Sequence, residues 1–183
     1  EKGQFYITDN DALLISKVTA IFTNTIVVFN NSGIMDISFV KENDKISAAI
    51  LGGLNGMEGA AAIADIILGK VNPSGKLIDT YAKSHLDYPS ADTYYESGLS
   101  ENHAGVGPDR CIKNDYVCYY EDIYVGYRYF ATIPNKNEAV IYPFGFGLSY
   151  TDFEINFISA KEENGNFEIK VSVKNIGKVG GKE

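Results

Sequence analysis

Two histidines, His85 and His103, and two cysteines, Cys111 and Cys118, are the side chains best suited to metal binding or nucleophilic chemistry. A structural zinc site draws about four ligands, usually from tight CxxC-like pairs, and the spacing of Cys111 and Cys118 does not supply that pattern. The two thiols fit a local disulfide or ordinary free cysteines, and the compartment stays open. No serine or cysteine stands in a nucleophile setting such as G-x-S-x-G. Carboxylates fall side by side at Asp9 and Asp11, Glu121 and Asp122, and Glu162 and Glu163. Cleaving a glycosidic bond takes two carboxyl groups flanking the bond, about 5–9.5 Å apart, which near neighbours in sequence seldom achieve. These pairs read as solvated surface. The chain is therefore expected to hold no self-contained catalytic set, no metal site and no cofactor.

Two further features deserve a chemical reading. The stretch GGLNGMEG, residues 52–59, follows an apolar run and precedes a helical pattern. Backbone N–H groups at such a helix start favour anions. The glycine spacing fails the G-x-G-x-x-G fingerprint, however, and no Lys-Ser/Thr pair follows. A tight turn that brings helix and sheet close is the simpler reading, with Glu58 complementing the helix dipole. Tyrosine supplies 13 residues, many of them between 81 and 129, including Tyr94 and Tyr95. Aromatic rings with polar tips can stack on sugars, form a wet interface, or pin a long loop to a sheet, and the sequence leaves these open.

The elements that must position these residues are legible in part. Thr8 with Asp11 three positions later makes a capping-box-like start, and Leu14, Val18, Ile21 and Phe22 follow at helical spacing, which predicts an amphipathic helix over 9–22. The runs Thr25–Phe29 and Ile46–Leu51 are short, continuous and apolar, as in parallel strands covered on both faces. Ala60, Ile63, Ala64 and Ile67 predict a second helix ended by Gly69, and Leu77–Tyr81 a third strand completing a βαβ unit. Residues 84–120 carry no sustained period and predict a long functional or interface loop. The segment EDIYVGYRYF, 121–130, fits helix or strand equally. Beyond it, Phe153, Ile155 and Phe157, then Phe167, Ile169, Val171 and Val173, alternate around Asn164-Gly165 and predict a half-buried β-hairpin.

Composition bounds the partners. The 183 residues carry 16 Lys+Arg against 24 Asp+Glu, a formal charge of −8, which argues against nucleic acid or an anionic membrane as partner. No apolar run reaches the roughly 18–20 residues of a membrane span, and the opening EKGQFYITDND lacks the apolar core of a signal peptide. Localisation is left undetermined. Hydrophobic residues make up 45%, enough for a packed core.

Three segments in this order and spacing, GMEGAAAIADIILGKVNPSGKL, YYEDIYVGYRYF and YPFGFGLSYTDFEI, resemble the C-terminal part of glycoside hydrolase family 3, as does KVTAIFTNTIVVFNNSGIMDISFV before them. The resemblance implies an open, flavodoxin-like α/β sandwich over 1–150, followed over 151–183 by the beginning of an all-β, fibronectin type III-like module. It implies a retaining exo-β-glycosidase of the β-glucosidase or β-xylosidase kind. Its nucleophilic Asp would lie on a separate (β/α)8 barrel, which is not in these residues and would be the chain's structural partner. Its acid/base Glu is expected in a GEGxDR-like phrase just upstream of Glu1, which does not itself match that phrase. The isolated chain is then expected to be inactive, with carbohydrate as substrate of the longer enzyme. Glu58 matches a family glutamate, although the turn GLNGMEGA departs from the usual one, and Glu58, Tyr94 and Tyr95 are the candidates for substrate contact. A non-catalytic carbohydrate-binding or interaction module using the Tyr-rich loop 84–120 is the alternative.

Overall fold

The computed structural model describes residues 5–91 and 121–183. They form two compact units that alternate along the chain. One comprises 5–54, 77–91 and 121–145, the other 55–76 and 146–183. Among the described residues, no helix is long and apolar enough to cross a membrane.

In the first unit, α1 spans Asp9–Ile21 and begins as its cap residues dictate. The Thr8 hydroxyl oxygen accepts from the Asp11 N–H at 3.1 Å, and the hydroxyl donates to the Asp11 carboxylate at 2.6 Å. Its apolar stripe is only partly used: Thr19 is the buried residue, whereas Leu14 and Phe22 stay exposed. Strand β1, Thr25–Phe29, pairs in parallel with β2, Ile46–Leu51, from Thr25 opposite Ile46 to Phe29 opposite Leu51, with a register shift after Thr25. The crossover that makes them parallel is residues 30–45, which contain a one-turn helix α2, Phe39–Glu42. Asp36 helps to start that turn by accepting the Ser38 N–H at 2.9 Å.

The expectation of strands covered on both faces needs correction. Phe29 packs with Ile37 and Tyr81, flanked by Val27, Phe39, Val40 and Tyr142, while Ile26 and Val28 on the opposite face remain exposed. Side chains alternate across a strand, so a core laid on one face leaves the other to solvent. The third strand is displaced as well. Residues 77–80 are not extended ladder; β3 is Tyr81–Ala82, and it pairs antiparallel with β4, Val140–Tyr142. No sequence period marks so short a pair, because its partner lies some sixty residues away. EDIYVGYRYF resolves into a turn and a short helix α4, Tyr127–Thr132, entered through Gly126 at φ +59°.

The second unit holds α3, Gly59–Ile67, and the hairpin β5, Phe153–Glu163, with β6, Asn166–Asn175. Gly69 ends α3 as expected: at φ +71° it donates to the Ile66 carbonyl, and Leu68 donates to Ala64, both at 2.9 Å. The hairpin turns at Asn164 and Gly165, with φ +54° and +76°, the positive pair a two-residue loop demands. A bulge between Phe157 and Ser159 keeps the apolar face in phase, so that Ala160 joins Phe153, Ile155 and Phe157 on the side of Ile169, Val171 and Val173. The hairpin forms as expected, but it is not half-buried. Phe157 is 68% and Phe167 73% exposed.

Asn72 ties together residues 149–150 and Gly180 of this unit. Its carboxamide oxygen accepts from the Ser149 hydroxyl at 3.0 Å and the Tyr150 N–H at 2.8 Å, and its nitrogen donates to the Gly180 carbonyl at 3.0 Å. Lys76 adds a bond to the Gly147 carbonyl at 3.0 Å and an ion pair with Glu183.

Candidate functional site

Of the side chains singled out for substrate contact, Glu58 lies at the N-cap of α3, exposed, with no side-chain capping bond. Its backbone carbonyl accepts the Ala62 N–H, and a Cβ on the following Gly59 would collide with the Asn55 side chain. The turn 52–59 is thus governed by tight backbone geometry, with Gly53 and Gly56 both at φ +65°. Tyr94 and Tyr95 lie outside the described residues, as do His103, Cys111 and Cys118 and most of the loop 84–120. Among the described residues, no group of three His, Cys, Asp or Glu could hold a metal ion. Asp11 completes the cap of α1 with Thr8, and Glu162 and Glu163 sit at the hairpin end opposite Phe167 and Asn166.

The first unit gathers aromatic and hydroxyl groups that sequence spacing did not connect. Phe5 and Tyr6 meet edge-on at 5.0 Å, and the Phe5 ring lies 6.0 Å from His85 and 6.2 Å from Tyr88, with Tyr6 5.9 Å from His85. Tyr6 shares a hydrogen bond with Ser84 at 3.1 Å, while Ser84 and Asp87 form a capping box around the 3-10 turn His85–Asp87. Tyr88 donates its phenol proton to the Thr80 carbonyl at 2.8 Å and accepts the Ala82 N–H at 3.0 Å. Burial pushes the Tyr88 phenol up to about 12, with nearby Asp79, Tyr81 and Asp87 adding to the rise against the Ala82 bond. Burial raises Tyr81 and Tyr142 as well. These are structural pins rather than acid–base groups poised for neutral pH.

Beside them an open cavity of about 530 Å³ is lined by Lys41, Thr80, Tyr127, Phe130, Asn137 and Phe144, among others. Tyr127 and Phe144 stack at 4.4 Å with planes 23° apart, and Phe130 meets Tyr88 edge-on at 5.4 Å. Lys41 bonds the Ile141 carbonyl and lies 4.5 Å from the centre of the Tyr142 ring. Four separate stretches of chain contribute, which is why no local motif announced the cavity.

Residues 1–150 match the model of the glycosyl hydrolase family 3 C-terminal domain. The chain belongs to glycoside hydrolase family 3. It is 42% identical to β-glucosidase A of Butyrivibrio fibrisolvens, with 100% of this chain matched to 22% of that protein, and 36% identical to a β-glucosidase of Ruminococcus albus, with 99% matched to 17%. Among solved structures it resembles a β-glucosidase from Paenibacillus barengoltzii, at TM-score 0.80, 33% identity, 97% of this chain and 18% of that one. It also resembles β-glucosidase 3B from Thermotoga neapolitana in complex with α-D-glucose, at TM-score 0.75, 30% identity, 97% of this chain and 23% of that one. The chain thus spans about a fifth of the length of these family 3 relatives. The α/β sandwich class expected from the sequence is the fold these relatives share with it.

Proposed function

We propose that this chain is part of a retaining, exo-acting β-glycosidase of the β-glucosidase or β-xylosidase kind, which removes terminal β-linked sugars from oligosaccharides or glycosides. One observation carries the reading: the family 3 match over residues 1–150, joined to 42% identity with a protein named β-glucosidase A. In this reading residues 1–150 form the α/β sandwich and 151–183 begin a fibronectin type III-like module. A carboxylate nucleophile on a (β/α)8 barrel outside these residues attacks the anomeric carbon. A Glu with raised pKa, in a GEGxDR-like phrase upstream of Glu1, protonates the leaving oxygen and then activates water. The chain's part is to hold that Glu and to shape the aglycone side. Glu58, exposed and with no side-chain capping bond, and Tyr94 and Tyr95 in the loop 84–120 are the candidates for touching substrate.

Hydrolysis of a p-nitrophenyl β-glucoside tests this. A longer reading frame that contains the chain should turn it over with retention of configuration, and the 183-residue chain should not. Turnover by the 183-residue chain itself, or inversion by the longer protein, overturns the reading.

A further inference from the structure

We propose that the cavity beside α4 is a non-catalytic subsite for a neutral sugar. It is assembled wholly within the first unit, and its volume of about 530 Å³ falls in the range of about 300–1,000 Å³ that small-molecule sites occupy. Three observations point to the ligand class.

The first is an unengaged hydroxyl on a buried residue. Thr80 is only 4% exposed, yet its side chain has no hydrogen-bond partner among the described residues; only its carbonyl is engaged, by Tyr88. Unlike Thr25 Oγ1 and Asn31 Oδ1, which are sealed in without partners, the Thr80 hydroxyl is not enclosed, and its residue lines the cavity. A hydroxyl that opens on the cavity and is not engaged by the described residues is free to pair with a ligand hydroxyl.

The second is the character of the polar lining. The Thr80 hydroxyl, the Asn137 carboxamide and the Tyr127 phenol each both donate and accept. That set matches hydroxyl groups, which also do both, whereas an anion calls for donors alone. Among the described residues of the lining, Lys41 is the one cation, held by the Ile141 carbonyl and the Tyr142 ring, and there is no carboxylate. The third is the aromatic pair Tyr127 and Phe144 in the lining, which stack at 4.4 Å and supply apolar surface that can meet the C–H groups of a sugar ring. The choice of sugar among polyols rests on the glycosidase reading above.

Titration of the isotopically labelled chain with D-glucose and cellobiose, followed by amide NMR, tests the proposal. Saturable shifts should map to residues 80, 127–131, 137 and 144, with Kd of about 1–10 mM. Thr80→Val, which keeps side-chain volume, and Tyr127→Ala should each weaken binding about fivefold or more while the remaining amide spectrum stays dispersed. Phe144→Ala replaces Tyr127→Ala if the latter fails to fold. Absence of saturable shifts, shifts confined to other residues, unchanged affinity in the folded variants, or tighter binding of glucuronate than of glucose would each overturn it. Retained hydrolysis by a longer protein alongside no binding here removes the subsite alone. Binding here without hydrolysis by the longer protein removes the glycosidase reading and leaves the subsite.

Discussion

The Asn72 carboxamide oxygen receives the Tyr150 backbone N–H at 2.8 Å, joining two positions 78 residues apart in the chain. The same side chain binds Ser149 and Gly180, so the phrases NPSGKL and FGFGLSYT, which look independent in sequence, are two halves of one hydrogen-bonded corner. Each half supplies the partners of the other, so losing either one removes these hydrogen bonds together.

Replacing Asn72 by Ala should therefore lower stability by about 1–3 kcal/mol, the worth of a few partly exposed hydrogen bonds. Asn72→Asp keeps both acceptor contacts and loses only the bond to Gly180, so it should cost less. Urea midpoints followed by circular dichroism check the order, and an Asp variant worse than Ala would contradict it.

Gly147 faces the Gly75 carbonyl and Lys76, and a Cβ there would land on that carbonyl oxygen. Gly147→Ala must push backbone against backbone, with an expected loss of about 1–3 kcal/mol. The thermal midpoint of the variant reads this out. Gly180→Ala, where a Cβ meets nothing within contact distance, serves as the control and should change little.

Tyr88 sets a pH dependence. Its phenol titrates near 12 in the folded chain against 10 when unfolded, so folding favours the protonated form. The stabilisation is fully present below pH 10, declines as pH rises from 10 towards 12, and is gone above that. The bond donated to the Thr80 carbonyl is what ionisation destroys. Urea midpoints measured from pH 9 upward should fall, and Tyr88→Phe should flatten the part of that fall owed to this residue while lowering stability at neutral pH.

The hairpin turn gives a fourth test. Gly165 at φ +76° occupies a region that costs an L-residue with a Cβ about 1–2 kcal/mol. Gly165→Ala should destabilise the hairpin by that order, and D-Ala at the same place should not. Amide exchange across the β5–β6 ladder would show the difference.

What the sequence disclosed, it disclosed locally. Thr8 with Asp11, the two apolar runs of β1 and β2, Gly69 after α3, and Asn164-Gly165 each encode their element within a few residues, and each element formed there. What stayed hidden depends on distant pairing. Tyr81–Ala82 and Val140–Tyr142 are too short to carry a period, and α4 begins at a glycine of positive φ inside an aromatic run that suits either helix or strand. The cavity was illegible for the same reason, since Thr80, Lys41 and Asn137 meet only after β3 and β4 have paired. The family phrases were recognisable without their purpose, which the bonds of Asn72 now supply.

The alternation of the two units along the chain constrains the order in which this protein can be made. As it leaves the ribosome, the segment 55–76 emerges long before its partner 146–183, with all of 77–145 in between. The first unit likewise cannot pair Tyr81 with Tyr142 until the later strand has been synthesised. Closing such long loops precedes any reward from the contacts they make, so the nascent chain holds its apolar stripes open until translation of this region is nearly finished. Its vulnerability is one of timing: the exposed interval is set by the speed of the ribosome as much as by the stability of the finished fold.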